Sequence, residues 1–188
     1  DGIRDKLVTG VQTCSLPIGT KNEPSEVRPI GARALKSAID TLRPYLASAD
    51  VLDLFAGQGR FGITASEEEI HSVTFVEKNR TTSTLLSEQV TSKRFPKEVK
   101  AKVITQDAIQ FLAQCSMSFD VVFADPPFPL WNEMFQTQLF SSVSKVLKTE
   151  SIFLVKHPSR MVLSPLSEGW NLIKQTEFGE SRSEEHTS

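Results

Sequence analysis

The sequence of 188 residues predicts an α/β fold in which helices flank a parallel sheet. Three observations favour this class. Short apolar runs typical of buried strands alternate with stretches whose apolar residues recur at three- and four-residue steps, as on one helix face. A glycine-rich turn follows the first of these strands, and an acid, two prolines and an aromatic residue follow the fourth. Parallel strands end at one edge of a sheet, where α/β folds bind ligands, so we expect both features to lie there.

Composition narrows the class of protein further. A formal net charge of −2 disfavours a generic nucleic-acid coat, because such proteins bind through cationic patches. No apolar run approaches the roughly 20 residues of a membrane span. Cys14 and Cys115 form neither a disulfide framework nor a metal-ligand spacing, and the three histidines are scattered. We therefore expect a cytoplasmic protein with free thiols and no metal.

The two ends of the chain differ from the rest. Residues 1–18 show no helical or strand periodicity, and residues 181–188 are polar and aperiodic. Both stretches resemble peptides translated from sequencing-adapter DNA, although ordinary disordered tails would have the same character. We expect residues 19–180 to form the domain and the two ends to be non-native tails.

The first helix and strand lead into the glycine-rich turn. Apolar residues at 34–42 make one face of a helix, which Pro44 and the small residues to Asp50 are expected to end. Residues 51–55 read as a buried strand that contains Asp53. The turn that follows has a Gly-x-Gly-x-x-Gly spacing, which lets backbone approach a ligand closely. A dinucleotide-binding fold would show the same spacing, so the turn alone leaves the ligand open.

Acidic residues end the next strands. Residues 73–77 form a strand ending in Glu77, whose carboxylate could accept hydrogen bonds from both hydroxyls of a ribose. A polar helix is predicted at 81–93 and a third strand at 101–105. Asp107 then stands at the N-cap of a helix at 108–113, which is one physical reason for an acid there.

The fourth strand, at 119–124, runs directly into Asp125-Pro126-Pro127-Phe128. Proline cannot continue a strand ladder, so the chain must leave the sheet there as a stiff loop. An ordinary exit from a strand could have the same composition. A helix is predicted at 131–148, with Met134 on its apolar side, and two further strands at 151–157 and 170–175.

Four strings together carry a resemblance to a known family. The strand and turn resemble the first motif of class I S-adenosylmethionine-dependent methyltransferases, and Asp125 to Phe128 resemble the catalytic motif of enzymes that methylate exocyclic amino groups of bases. Residues 28–180 resemble the bacterial family that methylates the N2 amine of a guanine in 16S ribosomal RNA. The matching strings are Arg28-Pro29, Leu52-Asp53-Leu54-Phe55-Ala56-Gly57-Gln58-Gly59, Phe75-Val76-Glu77 and Asp125-Pro126-Pro127-Phe128.

The resemblance implies a Rossmann-like sheet with strand order 3-2-1-4-5-7-6, S-adenosylmethionine as cofactor, and 16S ribosomal RNA or the assembling small subunit as partner. We expect a monomer. The seventh strand would follow residue 180, so we expect its place between the fifth and sixth strands to be empty. The backbone groups beside it would then be unpaired and the chain poorly stable.

The family pattern also implies the site. Its catalytic positions are Asp125, Pro126, Pro127 and Phe128. Its cofactor-binding positions are Asp53, Phe55, Ala56, Gly57, Gly59, Glu77 and Asp107, the last of these toward the adenine amino group. Its substrate-binding positions are Arg28, Arg33 and Phe128.

Two departures and three alternatives accompany this interpretation. The family's basic segment before Arg28 is replaced here, and residues 63–69 are more acidic than usual. A DNA amino-methyltransferase would share the motifs, but the chain has no room for a target-recognition domain. A nicotinamide-dependent oxidoreductase would explain the glycines and Glu77 but not the diproline string. A non-catalytic RNA-binding module would leave the acids at the strand ends without a role.

Overall fold

The computed structural model describes residues 6–14, 30–158, 161, 163 and 170–179. Their seven strands are β1 (Lys6–Cys14), β2 (Asp50–Leu54), β3 (Ser72–Glu77), β4 (Lys100–Thr105), β5 (Phe119–Ala124), β6 (Leu147–Pro158) and β7 (Trp170–Gly179). They form one sheet in the order β4-β3-β2-β5-β6-β1-β7, and neighbouring strands pair in parallel. The predicted α/β class and the predicted order of the first five strands of the domain are confirmed.

The helices of the described residues are α1 (Ala32–Leu46), α2 (Arg60–Ala65), α3 (Arg80–Val90), α4 (Ala108–Gln114) and α5 (Glu133–Val146), with a short 3-10 turn at Phe128–Leu130. Side chains of Asn79, Asp107 and Asn132 accept backbone N–H groups at the starts of α3, α4 and α5. These caps satisfy donors that have no partner inside a helix, so they fix where each helix begins.

The fifth and sixth strands of the sequence prediction are β6 and β7. The place between them, which we expected to be empty, is occupied by β1. Leu7 pairs with Ile152 on one side, and Lys6 pairs with Trp170 on the other. The backbone groups of both neighbours thus gain partners from the opposite end of the chain. An alternation of apolar and polar residues is typical of a strand with one face in solvent. A strand in the interior of a sheet can lack this alternation, so its absence from residues 1–18 did not exclude a strand there. That the two ends are non-native stays a prediction, and residues 181–188 lie outside the described part.

Successive residues of each central strand point to opposite faces of the sheet. The face under α1, α2 and α3, called here the α1 face, receives Val51, Val121, Phe123, Ile152 and Leu154. The face under α4 and α5 receives Leu52, Leu54, Val122, Phe153 and Val155. By the same alternation, Asp53, Asp125 and Lys156 belong to the α1 face.

α1 ends at Leu46, within the stretch from Pro44 to Asp50 where its end was predicted, and Pro44 itself lies in its last turn. One predicted detail of α5 was wrong. Met134 is 81% exposed rather than buried. It precedes the buried Val143 by about two and a half helical turns, so it lies on the opposite side of α5.

Candidate active site

The glycine-rich turn and the diproline loop leave neighbouring strands at the same edge of the sheet. Leu54 of β2 is in register with Ala124 of β5, and the Asp125 N–H donates to the Leu54 carbonyl at 3.4 Å. Paired strands lie about 4.8 Å apart, so the two features that follow them are neighbours. The space at this edge, between the turn and the loop, is called here the crevice. The structure therefore brings together the two motifs on which the sequence interpretation depends.

Left-handed backbone shapes the turn that follows β2. The φ angles of Phe55, Gly57 and Gly59 are 57°, 53° and 71°. A Cβ at Gly59 would collide with the Leu86 side chain, whereas one at Gly57 would meet nothing within 4 Å. Gly59 is therefore required for packing against α3. Gly57 and its half-buried neighbour Ala56 leave one side of the turn open to a ligand.

Asp53 lies beneath this turn rather than on its surface. Its side chain is 1% exposed, and its Oδ2 accepts the Gly62 N–H at 2.9 Å. Burial raises the pKa of Asp53 well above its usual value, although the bond from Gly62 opposes this rise. The structure thus gives Asp53 the role of joining β2 to α2, which holds the turn in place for any ligand above it.

Glu77 connects the turn to the start of α3. Its Oε2 accepts the Gly57 N–H at 2.8 Å, and its Oε1 accepts the Asn79 N–H at 2.7 Å. The carboxylate is half-buried and lies beside the open side of Gly57. A ligand in the crevice that carries paired hydroxyls would meet an acceptor already fixed in position.

Asp107 caps α4, as its sequence position predicted. Its Oδ1 accepts the N–H groups of Ile109 and Gln110 at 2.9 and 3.2 Å. The side chain is half-buried at the carboxyl end of β4. A cap and a contact with an adenine amino group are compatible, and the second stays a prediction.

Asp125 forms an ion pair with Lys156 of β6. The Lys156 Nζ lies 2.9 Å from Oδ1 and 3.0 Å from Oδ2, and the Lys156 and Asp125 side chains are 11% and 17% exposed. The same Nζ is 5.6 Å from the centre of the Phe128 ring. Burial raises the pKa of Asp125, and the charge and hydrogen bond of Lys156 lower it. Pro126 is buried beneath this loop, while Pro127 and Phe128 are half-buried.

The sequence interpretation missed Lys156, although the sequence contains a signal for it. Every second residue of β5 from Val121 leads through Phe123 to Asp125. The matching series on β6 leads from Ile152 through Leu154 to Lys156. Each series ends in a charged residue, and the two charges are opposite. The strands pair with Ala124 beside Val155. The two charged residues that follow these paired positions are therefore adjacent. The signal becomes decisive only when the register of the two strands is known.

Two arginines were predicted to bind substrate. One of them lies apart from this ion pair, and the other lies outside the described residues. Arg28 is outside the described part. Arg33 is exposed on α1 and lines a hollow of about 350 Å³ with Lys36, Asp40 and Lys174, among others. The Arg60 Nη1 donates to the Ile30 carbonyl at 2.9 Å, which ties the start of α1 to the glycine-rich turn. Roles for the two arginines stay predictions.

Neither a membrane-spanning helix nor a metal centre is present among the described residues. None of the helices there has the length and apolar character that a bilayer span requires. No group of three or more histidine, cysteine, aspartate or glutamate side chains in that part of the chain is arranged to hold a metal ion. The acids of the crevice instead accept backbone N–H groups or pair with Lys156.

Comparisons with known proteins identify the family of this chain. Residues 10–185 match the model of a family described as conserved hypothetical protein 95. Ribosomal RNA small subunit methyltransferase D of Haemophilus influenzae is 31% identical over 156 residues, which are 81% of this chain and 79% of that protein. The protein of the same description from Escherichia coli K12 is 32% identical over 102 residues, which are 54% of this chain and 50% of that one.

Solved structures show the same fold. A predicted methylase of Haemophilus influenzae has a TM-score of 0.58 at 30% identity, covering 73% of this chain and 86% of that one. A methyltransferase of Thiobacillus denitrificans, solved with S-adenosyl-L-homocysteine, has a TM-score of 0.55 at 19% identity, covering 68% and 49%; this likeness concerns the fold. From the family match and the relatives of known description, this chain belongs to the conserved hypothetical protein 95 family and is an S-adenosylmethionine-dependent methyltransferase.

Proposed function

We propose that this protein methylates the exocyclic N2 amine of a guanine in small-subunit ribosomal RNA. The relatives named above act on small-subunit ribosomal RNA by their description, and one of them shares most of its length with this chain. The observation that carries the proposal is the position of Asp125 beside the glycine-rich turn, on the neighbouring strand and at the same edge. The substrate would be 16S ribosomal RNA or the assembling small subunit, met in the cytoplasm by a monomer.

The residues around the turn fit S-adenosylmethionine. The open side of Gly57 gives space for backbone to approach the amino-acid part of the cofactor, and Glu77 would accept the ribose hydroxyls. Asp107, at the end of β4, would meet the adenine amino group. When bound, the cofactor would supply an electrophilic methyl group, which would pass to the amine nitrogen with the electrons of the S–C bond left on sulfur and a proton released from the nitrogen to water.

Asp125 supplies what the amine lacks. The lone pair of an exocyclic amine is delocalised into the ring, so the nitrogen is a poor nucleophile. A carboxylate oxygen of Asp125 and the Pro126 carbonyl would accept its two N–H groups and draw the nitrogen toward tetrahedral geometry. Phe128 would stack on a base turned out of its helix, as enzymes that modify bases require. These contacts would hold the nitrogen in place for attack, which requires about 3–3.5 Å between the reacting atoms.

Transfer of a labelled methyl group tests the proposal. The full chain is incubated with labelled S-adenosylmethionine and with naked 16S ribosomal RNA, small ribosomal subunits or duplex DNA, and the nucleosides are then separated. We expect label in N2-methylguanosine from ribosomal RNA or subunits. Label confined to methyladenine, or to DNA, would contradict the proposal and favour another amino-methyltransferase.

A further inference from the structure

The ion pair between Lys156 and Asp125 is built at the end of two paired strands. Both side chains lie on the α1 face, and the pairing of Ala124 with Val155 places them side by side. The lysine nitrogen lies within 3.0 Å of both carboxylate oxygens. One ammonium group therefore restrains the rotation of the carboxylate as well as its position.

Ionisation of Asp125 is costly at this site. The side chain is only 17% exposed, and removing a carboxylate from water favours its protonated form. A protonated carboxyl carries its own O–H and loses part of its capacity to accept hydrogen bonds. The amine of a base, in contrast, offers only N–H donors on the side that faces the acid. The ionised form therefore offers the amine two acceptor oxygens and no competing O–H, and a nearby cation favours that form.

Charged groups of two neighbouring strands face Asp125. Lys156 faces it from β6, and Asp53 faces it from β2 closely enough that the two carboxyl groups interact. Burial raises the pKa of Asp53 well above its usual value, which diminishes the negative charge that it adds. His157, next to Lys156, belongs to the opposite face; it is fully buried, and its Nδ1 contacts the Pro158 carbonyl at 3.1 Å. Lys156 thus supplies the compensating positive charge among these groups.

We propose that Lys156 is a positioning residue for methyl transfer, which keeps Asp125 ionised and turned toward the amine. The same ammonium also lies 5.6 Å from the Phe128 ring centre, a distance at which a cation attracts an aromatic face. One side chain therefore links the acid that orients the amine to the ring that would hold the base. This inference rests on the function proposed above.

The rate of methyl transfer as a function of pH tests this role. In Lys156→Met the side chain keeps its length and loses its charge, so the pKa of Asp125 rises and the carboxylate is lost at a higher pH. We expect single-turnover transfer to fall about tenfold or more near pH 6 and to recover toward the wild-type rate near pH 9. Lys156→Arg should keep the wild-type profile. Lys145→Met, an exposed lysine of α5, is the matched control and should change nothing.

Titration of the Asp125 carboxyl group by carbon NMR gives a second readout that needs no RNA. We expect its pKa to be higher in Lys156→Met than in the wild type. A loss of rate that is equal at all pH values, with an unchanged Asp125 titration, would overturn the proposal. S-adenosylmethionine binding confirms folding, and Lys156→Gln replaces the methionine variant if that one does not fold. Should wild-type protein methylate no RNA, the proposed function fails, whereas the NMR comparison still decides whether Lys156 controls Asp125.

Discussion

Strand β6 carries a lysine–aspartate contact at each of its ends, and the two contacts differ in their surroundings. At the amino end, the Lys148 Nζ lies 2.8 Å from both Asp50 and Asp120, and the lysine is 37% exposed. At the carboxyl end, the Lys156 side chain is 11% exposed and pairs with Asp125. The first contact is within reach of solvent, and the second faces the crevice.

The partners of the two contacts also differ. At the amino end, the Asp120 Oδ2 also accepts the Asp50 N–H at 2.8 Å, and the Ser72 hydroxyl donates to Asp50 at 2.6 Å. The hydrogen bonds of Lys148 and Ser72 outweigh desolvation and lower the pKa of Asp50. At the carboxyl end, desolvation prevails and raises the pKa of Asp125. A carboxylate surrounded by donors stabilises the sheet, whereas one with fewer donors keeps acceptor capacity for a ligand.

Removing one acid from each end gives the largest expected difference. Asp125→Ala should lower kcat for methyl transfer by about 10²-fold or more, because a hydrogen bond directed at the transition state is lost. Asp120→Ala is the matched control, and its kcat should stay within about threefold of wild type at a temperature well below melting. The measurement is steady-state methyl transfer at saturating ribosomal RNA, which gives kcat. Near-normal transfer by Asp125→Ala would remove this residue from the mechanism.

The comparison of the two ends also shows what the sequence could predict. The apolar runs, the glycine spacing and the acids at the ends of strands were sufficient to place the crevice. Lys156 was not predicted, because its role depends on the register between β5 and β6, which is a non-local property. Lys148 was assigned to the end of a helix, whereas it lies in β6 and reaches Asp50 across the sheet.

Segment 6–14 shows a second limit of local patterns. Its position between β6 and β7 is set by backbone pairing with residues more than a hundred positions away. No periodicity within the segment itself indicated this pairing. The full burial of His157 shows the same limit, since the burial of a strand end depends on what packs over it. Here the centre of the Trp131 ring lies 5.9 Å from the centre of the His157 ring.

The two ends should respond oppositely to acid. The pKa of Asp53, near the crevice, is raised in the folded state, so the folded protein binds more protons than the unfolded chain between the two pKa values. This group therefore adds stability as the pH falls through its raised value. The pKa of Asp50 is lowered in the folded state, so its effect on stability has the opposite sign. Its contribution to the free energy of unfolding is fully present above the pKa of the unfolded chain and is lost as the pH falls through the pKa of the folded protein.

Denaturant unfolding at several pH values tests this difference. Asp53→Asn keeps an oxygen that can accept the Gly62 N–H and should lose the gain in stability that the wild type shows on mild acidification. Asp50→Asn should instead lose part of the stability that the wild type has near neutral pH and become less sensitive to strong acid. Parallel stability curves for wild type and Asp53→Asn would show that Asp53 does not titrate differently in the two states.

The smallest expected effect comes from Lys148→Met at the amino end. Its pairs with Asp50 and Asp120 are partly exposed, and solvent screens their attraction, so we expect a loss of about 1 kcal/mol or less in the free energy of unfolding. The pH profile of methyl transfer should be unchanged, in contrast to Lys156→Met on the same strand. If Lys148→Met instead shifted the acidic limb of that profile, the two ends would be electrostatically coupled. The functional effect of Lys156 would then reflect the charge of β6 as a whole rather than its contact with Asp125.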